Sequence, residues 1–127
     1  MTEALEQEIH RLVALIKDPF EIARKITQQV WIQSMTEPIP RGVPVAFYCD
    51  DNLNWEVHYL KPGYFLALFY DETKTEDPDP YTERGLKDCQ AGIFKHDRQH
   101  SQLSIEARNA ETGNHSFSQL AHRLATE

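Results

Sequence analysis

The sequence predicts a single α+β domain in which helices pack against one antiparallel β-sheet. Residues 43–70 contain three short apolar segments separated by turn residues, and side chains that alternate with a period of two are typical of strands. Two further alternating segments follow residue 90, and segments with helical spacing lie at both ends of the chain. A chain of 127 residues can bury one core, so we expect residues 1–127 to form one domain.

The N-terminal region predicts two helices. Apolar residues recur at helical spacing over residues 3–17, where Thr2 is a suitable N-cap. Asp18 and Pro19 predict the start of a second helix, because Asp18 can cap and proline needs no amide partner in the first turn. We expect this second helix to end near Gln33.

The central region predicts three consecutive strands at residues 43–49, 53–59 and 64–70. Turn residues separate them at positions 50–52 and 61–63. A proline near the start of the first segment favours an edge strand. The second segment alternates apolar and polar residues, which predicts one solvated face. The third is apolar on both faces, which predicts a central strand covered on both sides.

The C-terminal half predicts an exposed acidic loop, two more strands and a last helix. Acidic residues and prolines occupy residues 71–80, and residues 81–89 favour a short helical segment. Strands are expected at residues 91–96 and 102–108, followed by a helix that Ser116 caps. The predicted order is ααβββ(α)ββα, a five-stranded antiparallel meander with two N-terminal helices and one C-terminal helix packed on one face. The second sheet face is then left for a partner or a cavity.

The charge balance limits the classes of partner. The net charge of −7 disfavours nucleic acid and anionic membrane surfaces and favours a basic protein or peptide. The sequence contains no stretch of 18 consecutive apolar residues, so it predicts no membrane-spanning helix. We expect a cytoplasmic protein, because the N-terminus lacks the pattern of a secretory signal. Cys49 and Cys89 are then expected to be free thiols, with Cys49 in the core.

No motif for catalysis or for a cofactor emerges from the sequence, so we expect no cofactor and no catalytic residue. His96 and His100 flank Asp97, and two histidines with a carboxylate can bind a metal ion. These residues lie at a predicted turn, where polar side chains are common because turns are solvated. We therefore predict no metal site and keep this pair only as a weak candidate.

The candidate binding residues come from a surplus of aromatic side chains in the predicted sheet. An aromatic surface that exceeds the need of one helical layer is typical of a partner surface or a ligand cleft. The candidate residues are Tyr48, Trp55, His58, Tyr59, Tyr64 and Tyr70.

The sequence supports two functional hypotheses from different classes. The first is a non-catalytic protein-binding, adaptor or chaperone-like domain that binds a protein or peptide through its sheet face and forms a homodimer. In element order the chain is loosely similar to bacterial secretion chaperones of the α-βββ-α-ββ-α type, which are small, acidic and dimeric. The extra N-terminal helix and the weak helical segment at residues 81–89 both depart from that order, and no shared motif accompanies the similarity.

The alternative is a small-molecule-binding protein or a small enzyme with a pocket between sheet and helices. Glu56, His58, Tyr48 and Tyr70 are its candidate lining residues, since a carboxylate beside a histidine can act as an acid–base pair. Residues 71–80 are its candidate lid.

Overall fold

A computed structural model describes residues 3–15 and 18–127 and confirms the α+β fold class. The chain forms one open five-stranded antiparallel sheet with helices before and after it. In chain order the elements are α1 (Glu3–Leu15), α2 (Pro19–Ser34), β1 (Pro44–Asp50), β2 (Leu53–Lys61), β3 (Tyr64–Asp71), β4 (Cys89–Asp97), β5 (Gln102–Arg108), α3 (Asn109–Thr112) and α4 (Asn114–Thr126).

The strands lie side by side in sequence order, from β1 at one edge to β5 at the other. The predicted meander is therefore confirmed. Gly63 has a φ of +85° in the β2–β3 turn, which is the left-handed backbone that glycine adopts at low cost. One register row runs Cys49–Asn54–Tyr70–Cys89 across the first four strands.

Helices cover both faces of the sheet, so the prediction that all of them lie on one face was wrong. On the first face, α2 packs over β2 and β3 with a core that includes Ile26, Val57 and Phe65. On the second face, α4 places Phe117 and Ala121 in a separate core. The apolar character of β3 on both faces is explained by these two layers, because each layer buries one set of alternate side chains.

The prediction that one face of β2 is solvated was also wrong. Asn54 and His58 are only 5% and 4% exposed, because α4 and the segment of residues 79–88 cover this face. That segment was predicted to be a short helix, but residues 81–88 form turns and bends. Its predicted apolar contacts do occur, since Leu86 and Cys89 are buried with α4 in the second core.

The helix starts show one correct and one wrong prediction. Asp18 caps α2 by accepting a hydrogen bond from the Phe20 amide at 3.0 Å. The last helix begins at Asn114 after Gly113, not at Ser116, and no side chain caps it. Thr2 and residues 16–17 lie outside the described residues. None of the described helices is long and apolar enough to cross a membrane.

Candidate functional site

The sequence-predicted binding residues divide between the two sheet faces. Tyr48, Trp55 and Tyr59 belong to the first face, under α2. His58 lies on the opposite side of β2, and Tyr64 and Tyr70 pack against the core of the second face. The six residues therefore do not form one surface, because neighbours in a strand point to opposite faces.

Tyr48 and Trp55 are internal packing residues, 5% and 1% exposed. The Trp55 indole donates a hydrogen bond to the carbonyl of Pro19 at 3.3 Å, which connects the sheet to the start of α2. The Tyr48 ring lies 5.4 Å from the His10 ring of α1. Burial and the nearby Asp50 carboxylate raise the pKa of Tyr48 to about 12. Neither side chain is accessible to a partner in this structure.

Tyr59 and Tyr64 line an open groove of about 900 Å³ at the end of the sheet where the C-terminus of α2 meets the strand turns. Trp31 contributes one wall, and its ring packs against that of His96 with 4.0 Å between centroids and a tilt of 32°. Met35 at the rim is 63% exposed. The groove is lined by charged side chains of both signs, so its electrostatics favour no one class of ligand.

The two histidines of the weak metal candidate have different partners. His96 packs against the Trp31 ring, whereas His100 Nδ1 lies 2.6 Å from the Asp97 carboxylate in the β4–β5 turn. Among the described residues, no group of three or more His, Cys, Asp or Glu side chains has the geometry to hold a metal ion.

A buried polar cluster occupies the second sheet face. His58 Nδ1 is 3.0 Å from the Tyr81 hydroxyl, and His58 Nε2 is buried with no hydrogen-bond partner in the described part of the chain. Burial lowers the pKa of His58 to about 4, although the Asp79 carboxylate opposes that shift. The imidazole is therefore neutral near pH 7. Tyr81 is also held protonated, because burial raises its pKa.

Glu56 and Tyr70 extend this cluster toward the β1–β2 turn. Burial raises the pKa of Glu56, and its interaction with the Tyr70 hydroxyl partly offsets that effect. Asn54 donates from Nδ2 to the Glu72 carboxylate at 3.0 Å. The structure thus brings Glu56, His58 and Tyr70 to one face, as the alternative function requires, whereas Tyr48 lies on the other face.

Tyr81, the partner of His58, was not predicted from the sequence as part of this cluster. It is held by a tight loop in which Asp79 Oδ1 accepts a hydrogen bond from the Tyr81 amide at 2.8 Å. The Asp79 amide donates to the carbonyl of Gly85 at 3.0 Å, which closes the loop. A sequence signal did exist, since an Asp-Pro-Tyr sequence favours a turn in which the aspartate caps the amide two residues on.

Part of β1 is left uncovered on the second face. Phe47 is 53% exposed and Cys49 is also exposed, although their register partners in β2, Glu56 and Asn54, are partly or fully buried. We call Phe47, Cys49 and the outer edge of β1 the β1 strip. The prediction that Cys49 belongs to the core was wrong, because neither α4 nor residues 79–88 reach this edge strand.

Both cysteines are free thiols, as predicted. They occupy the same register row but are separated by two intervening strands, which corresponds to about 14 Å at the usual strand spacing. A disulfide requires a Cα separation of roughly 4–7 Å. Cys49 and Cys89 therefore cannot pair within this fold.

No protein-family model, curated protein sequence or solved structure matched the chain.

Proposed function

We propose that the chain is a non-catalytic, chaperone-like domain that binds a protein or peptide through the β1 strip. The observation that carries this proposal is the exposure of Phe47, 53% of whose surface is open to solvent, on a face that α4 and residues 79–88 cover over the neighbouring strand β2. Aromatic side chains supply much of the contact energy at protein interfaces, so an exposed phenylalanine on an edge strand supports a binding role.

The edge of β1 supports the same proposal. Free strand edges are usually protected by charged side chains, prolines or bulges. Pro44 and the register irregularity between Pro44 and Ala46 protect the start of β1. Residues 45–49 that follow contain no charged side chain, so this part of the edge is open to pairing.

The electrostatics favour a basic partner. Desolvation, together with the nearby carboxylates of Glu72, Asp50 and Asp51, raises the pKa of the Cys49 thiol. The whole chain carries a net charge of −7. Carboxylates at the rim of a binding site attract basic partners and mainly raise the association rate. The cytoplasm is the proposed location, since a free and exposed thiol such as Cys49 persists in a reducing compartment.

The expected homodimer is the competing occupant of the β1 strip. Two copies that met at this surface would bring their acidic rims together, and like charges oppose such a contact. We therefore propose a basic partner in preference to a second copy. Sedimentation analysis of the wild-type protein at low and high salt distinguishes the two occupants.

The test uses an unfolded basic protein, reduced and carboxyamidomethylated lysozyme, as the probe. Phe47→Ser in β1 is compared with Ile105→Ser in β5, a matched change at the opposite edge strand where Ile105 is 37% exposed. We expect Phe47→Ser to weaken binding about tenfold, because a phenyl ring that becomes buried in the complex contributes about 1–3 kcal/mol to the binding free energy. Ile105→Ser should bind as the wild type does.

Three results would contradict the proposal. Equal losses in both variants would mean that binding is not located at β1. Equal affinity for an unfolded acidic protein, such as alkylated α-lactalbumin, would remove the electrostatic argument. A stable wild-type dimer that Phe47→Ser dissociates would assign the strip to a second copy.

A small-molecule site is the second candidate, because Glu56, His58 and Tyr70 converge under residues 79–88. Groups with perturbed pKa values that cluster in one place are typical of functional sites. The site would require that segment to move, since His58 is 4% exposed. Labelling with diethyl pyrocarbonate tests this movement: His58 should react far more slowly than exposed His122, and equal rates would favour the second candidate.

A further inference from the structure

We infer that the partner is a basic, extended segment that pairs with β1 as a sixth strand of the sheet. This inference rests on the proposed function, because it takes the β1 strip as the binding surface. It adds the conformation and the side-chain pattern of the partner.

The topology provides the pairing edge. β1 is hydrogen-bonded to β2 on one side and has no neighbouring strand on the other in the described part of the chain. Every second residue of an edge strand points its backbone N–H and C=O groups outward. Pro44 has no amide hydrogen, and the register shifts between Pro44 and Ala46. A regular added strand therefore fits residues 46–50.

The burial pattern defines the side chains of an added strand. Phe47 and Cys49 point to the second face and are exposed, whereas Tyr48 points to the first face and is buried near α1. Side chains of neighbouring strands that share a face lie about 5 Å apart. Apolar partner residues on the second face would then cover Phe47, and this contact supplies the hydrophobic part of the binding free energy.

The carboxylates define the remaining partner residues. Asp51 lies in the β1–β2 turn with a φ of +52°, and Glu72 follows β3 beside it, where its backbone amide donates to the carbonyl of Asn52 at 2.8 Å. Both side chains are exposed. Glu72 accepts a hydrogen bond from Asn54, whose side chain lies on the second face, so a basic partner residue must share that face with the apolar ones. Residues that share a face are two positions apart in a strand, so a segment in which apolar and basic residues alternate along one face fits both features.

The experiment measures the affinity of a set of seven-residue peptides by fluorescence anisotropy. The probes are the peptide Val-Thr-Lys-Thr-Val-Thr-Lys, called the Val-Lys peptide because its valines and lysines share one face, a Val-Glu counterpart with glutamate in place of lysine, and two forms of the Val-Lys peptide that are N-methylated at one or the other set of alternate amides. Only one set of amides faces β1 in an added strand. We expect the Val-Lys peptide to bind, the Val-Glu peptide not to bind, and one methylated form to lose at least about tenfold in affinity, since several backbone hydrogen bonds are lost.

The charge requirement is tested with a matched pair of double variants. Asp51→Asn with Glu72→Gln should weaken Val-Lys binding about fivefold, as expected for two exposed ion pairs. Asparagine tolerates the left-handed backbone at position 51, and glutamine keeps an acceptor for Asn54. Glu37→Gln with Glu111→Gln removes the same charge from exposed positions elsewhere and should leave the affinity unchanged.

The outcomes separate this inference from the proposed function. If both methylated peptides bind like the parent, strand addition is wrong although binding at the β1 strip stands. Strand addition is also wrong if the unfolded basic protein binds in a Phe47-dependent way but none of the peptides does. Equal losses in the two double variants would overturn the assigned carboxylates. If neither the peptides nor the unfolded protein binds, both proposals fail.

Discussion

His58 is a neutral imidazole held inside the sheet-helix interface, where only Tyr81 contacts its ring nitrogens within the described residues. A buried histidine with a depressed pKa binds fewer protons in the folded state than in the unfolded state. Stability therefore rises with pH through the range between the two pKa values. The stability that neutral His58 contributes is fully present above pH 6.5, the ordinary pKa of histidine, and is lost as the pH falls toward the folded-state pKa of about 4.

We predict that His58→Gln weakens this pH dependence of unfolding. Between pH 6.5 and 4 the wild type should lose up to about 3 kcal/mol more stability than the variant, from a shift between ordinary and folded pKa values that is worth about 1.4 kcal/mol per unit. Urea unfolding at half-unit pH steps measures the difference. Glu56 has a raised pKa, so its contribution to stability falls as the pH rises. Because Glu56 is present in both proteins, this effect cancels in the difference between them.

His122→Gln is the control for this experiment, because His122 is exposed on α4. It should follow the wild-type pH profile. Parallel profiles for wild type and His58→Gln would show that burial does not depress the pKa of His58 in solution.

At the residue scale, local sequence signals predicted local structure and failed for long-range partners. Asp18 and Gly63 were predictable because an N-cap and a turn depend on immediate neighbours. The contact of His58 with Tyr81 joins residues that are 23 positions apart. It depends on how residues 79–88 fold over the sheet, and no spacing rule encodes that path.

The segment of residues 79–88 is the element that closes the polar cluster, and Gly85 is the residue that allows it to fold tightly. A Cβ at position 85 would lie 2.5 Å from both the Cβ and the carbonyl oxygen of Asp79. The backbone at position 85 is also fixed by its own amide, which donates to Thr82 Oγ1 at 2.9 Å. Asp79 cannot move freely, because its carboxylate holds the Tyr81 amide.

We predict that Gly85→Ala destabilises the protein by about 1–3 kcal/mol, the usual cost of forcing atoms into a packed site. The loop should open locally before the sheet unfolds, so amide exchange at Tyr81 and Leu86 should accelerate more than exchange in β3. Gly63→Asn is the control, since position 63 has a positive φ but no neighbour within 4 Å of an added Cβ. A Gly85→Ala protein with unchanged stability and exchange would contradict the tight packing.

At the element scale, the order of strands was predictable and the placement of α4 was not. Short turns between alternating segments allow few arrangements other than a meander. The apolar stripe of α4 fits either face of a sheet. Phe117, Ala121 and Leu124 define which side of the helix is buried, but they do not define which sheet face that side packs against. Because β3 is apolar on both faces, the sequence indicated two covering layers. In the structure α4 and residues 79–88 of the same chain form the second layer.

At the scale of the whole molecule, Arg41 connects the linker, the sheet and the last helix. It donates from Nε to the Leu60 carbonyl of β2 at 2.6 Å and from Nη2 to the carbonyls of Leu124 and Glu127 at 3.0 and 2.8 Å. These bonds satisfy carbonyl groups at the C-terminus of α4, where a cation also interacts favourably with the helix dipole. The linker after α2 thereby holds the last helix against the second face, whereas Phe47 and Cys49 of β1 remain exposed there.

This architecture predicts that substitutions of two phenylalanines on the second-face side of the sheet differ strongly in their cost. Phe117→Ala removes a fully buried ring from the α4 core and should cost about 3–5 kcal/mol of unfolding free energy. Phe47→Ala removes a ring that is 53% exposed and should cost about 1 kcal/mol or less, since little apolar area leaves the core. Urea unfolding at pH 7 measures both changes. Similar costs for the two variants would mean either that α4 does not hold the second face closed or that a second copy of the chain covers β1, and sedimentation of the wild type would separate those explanations.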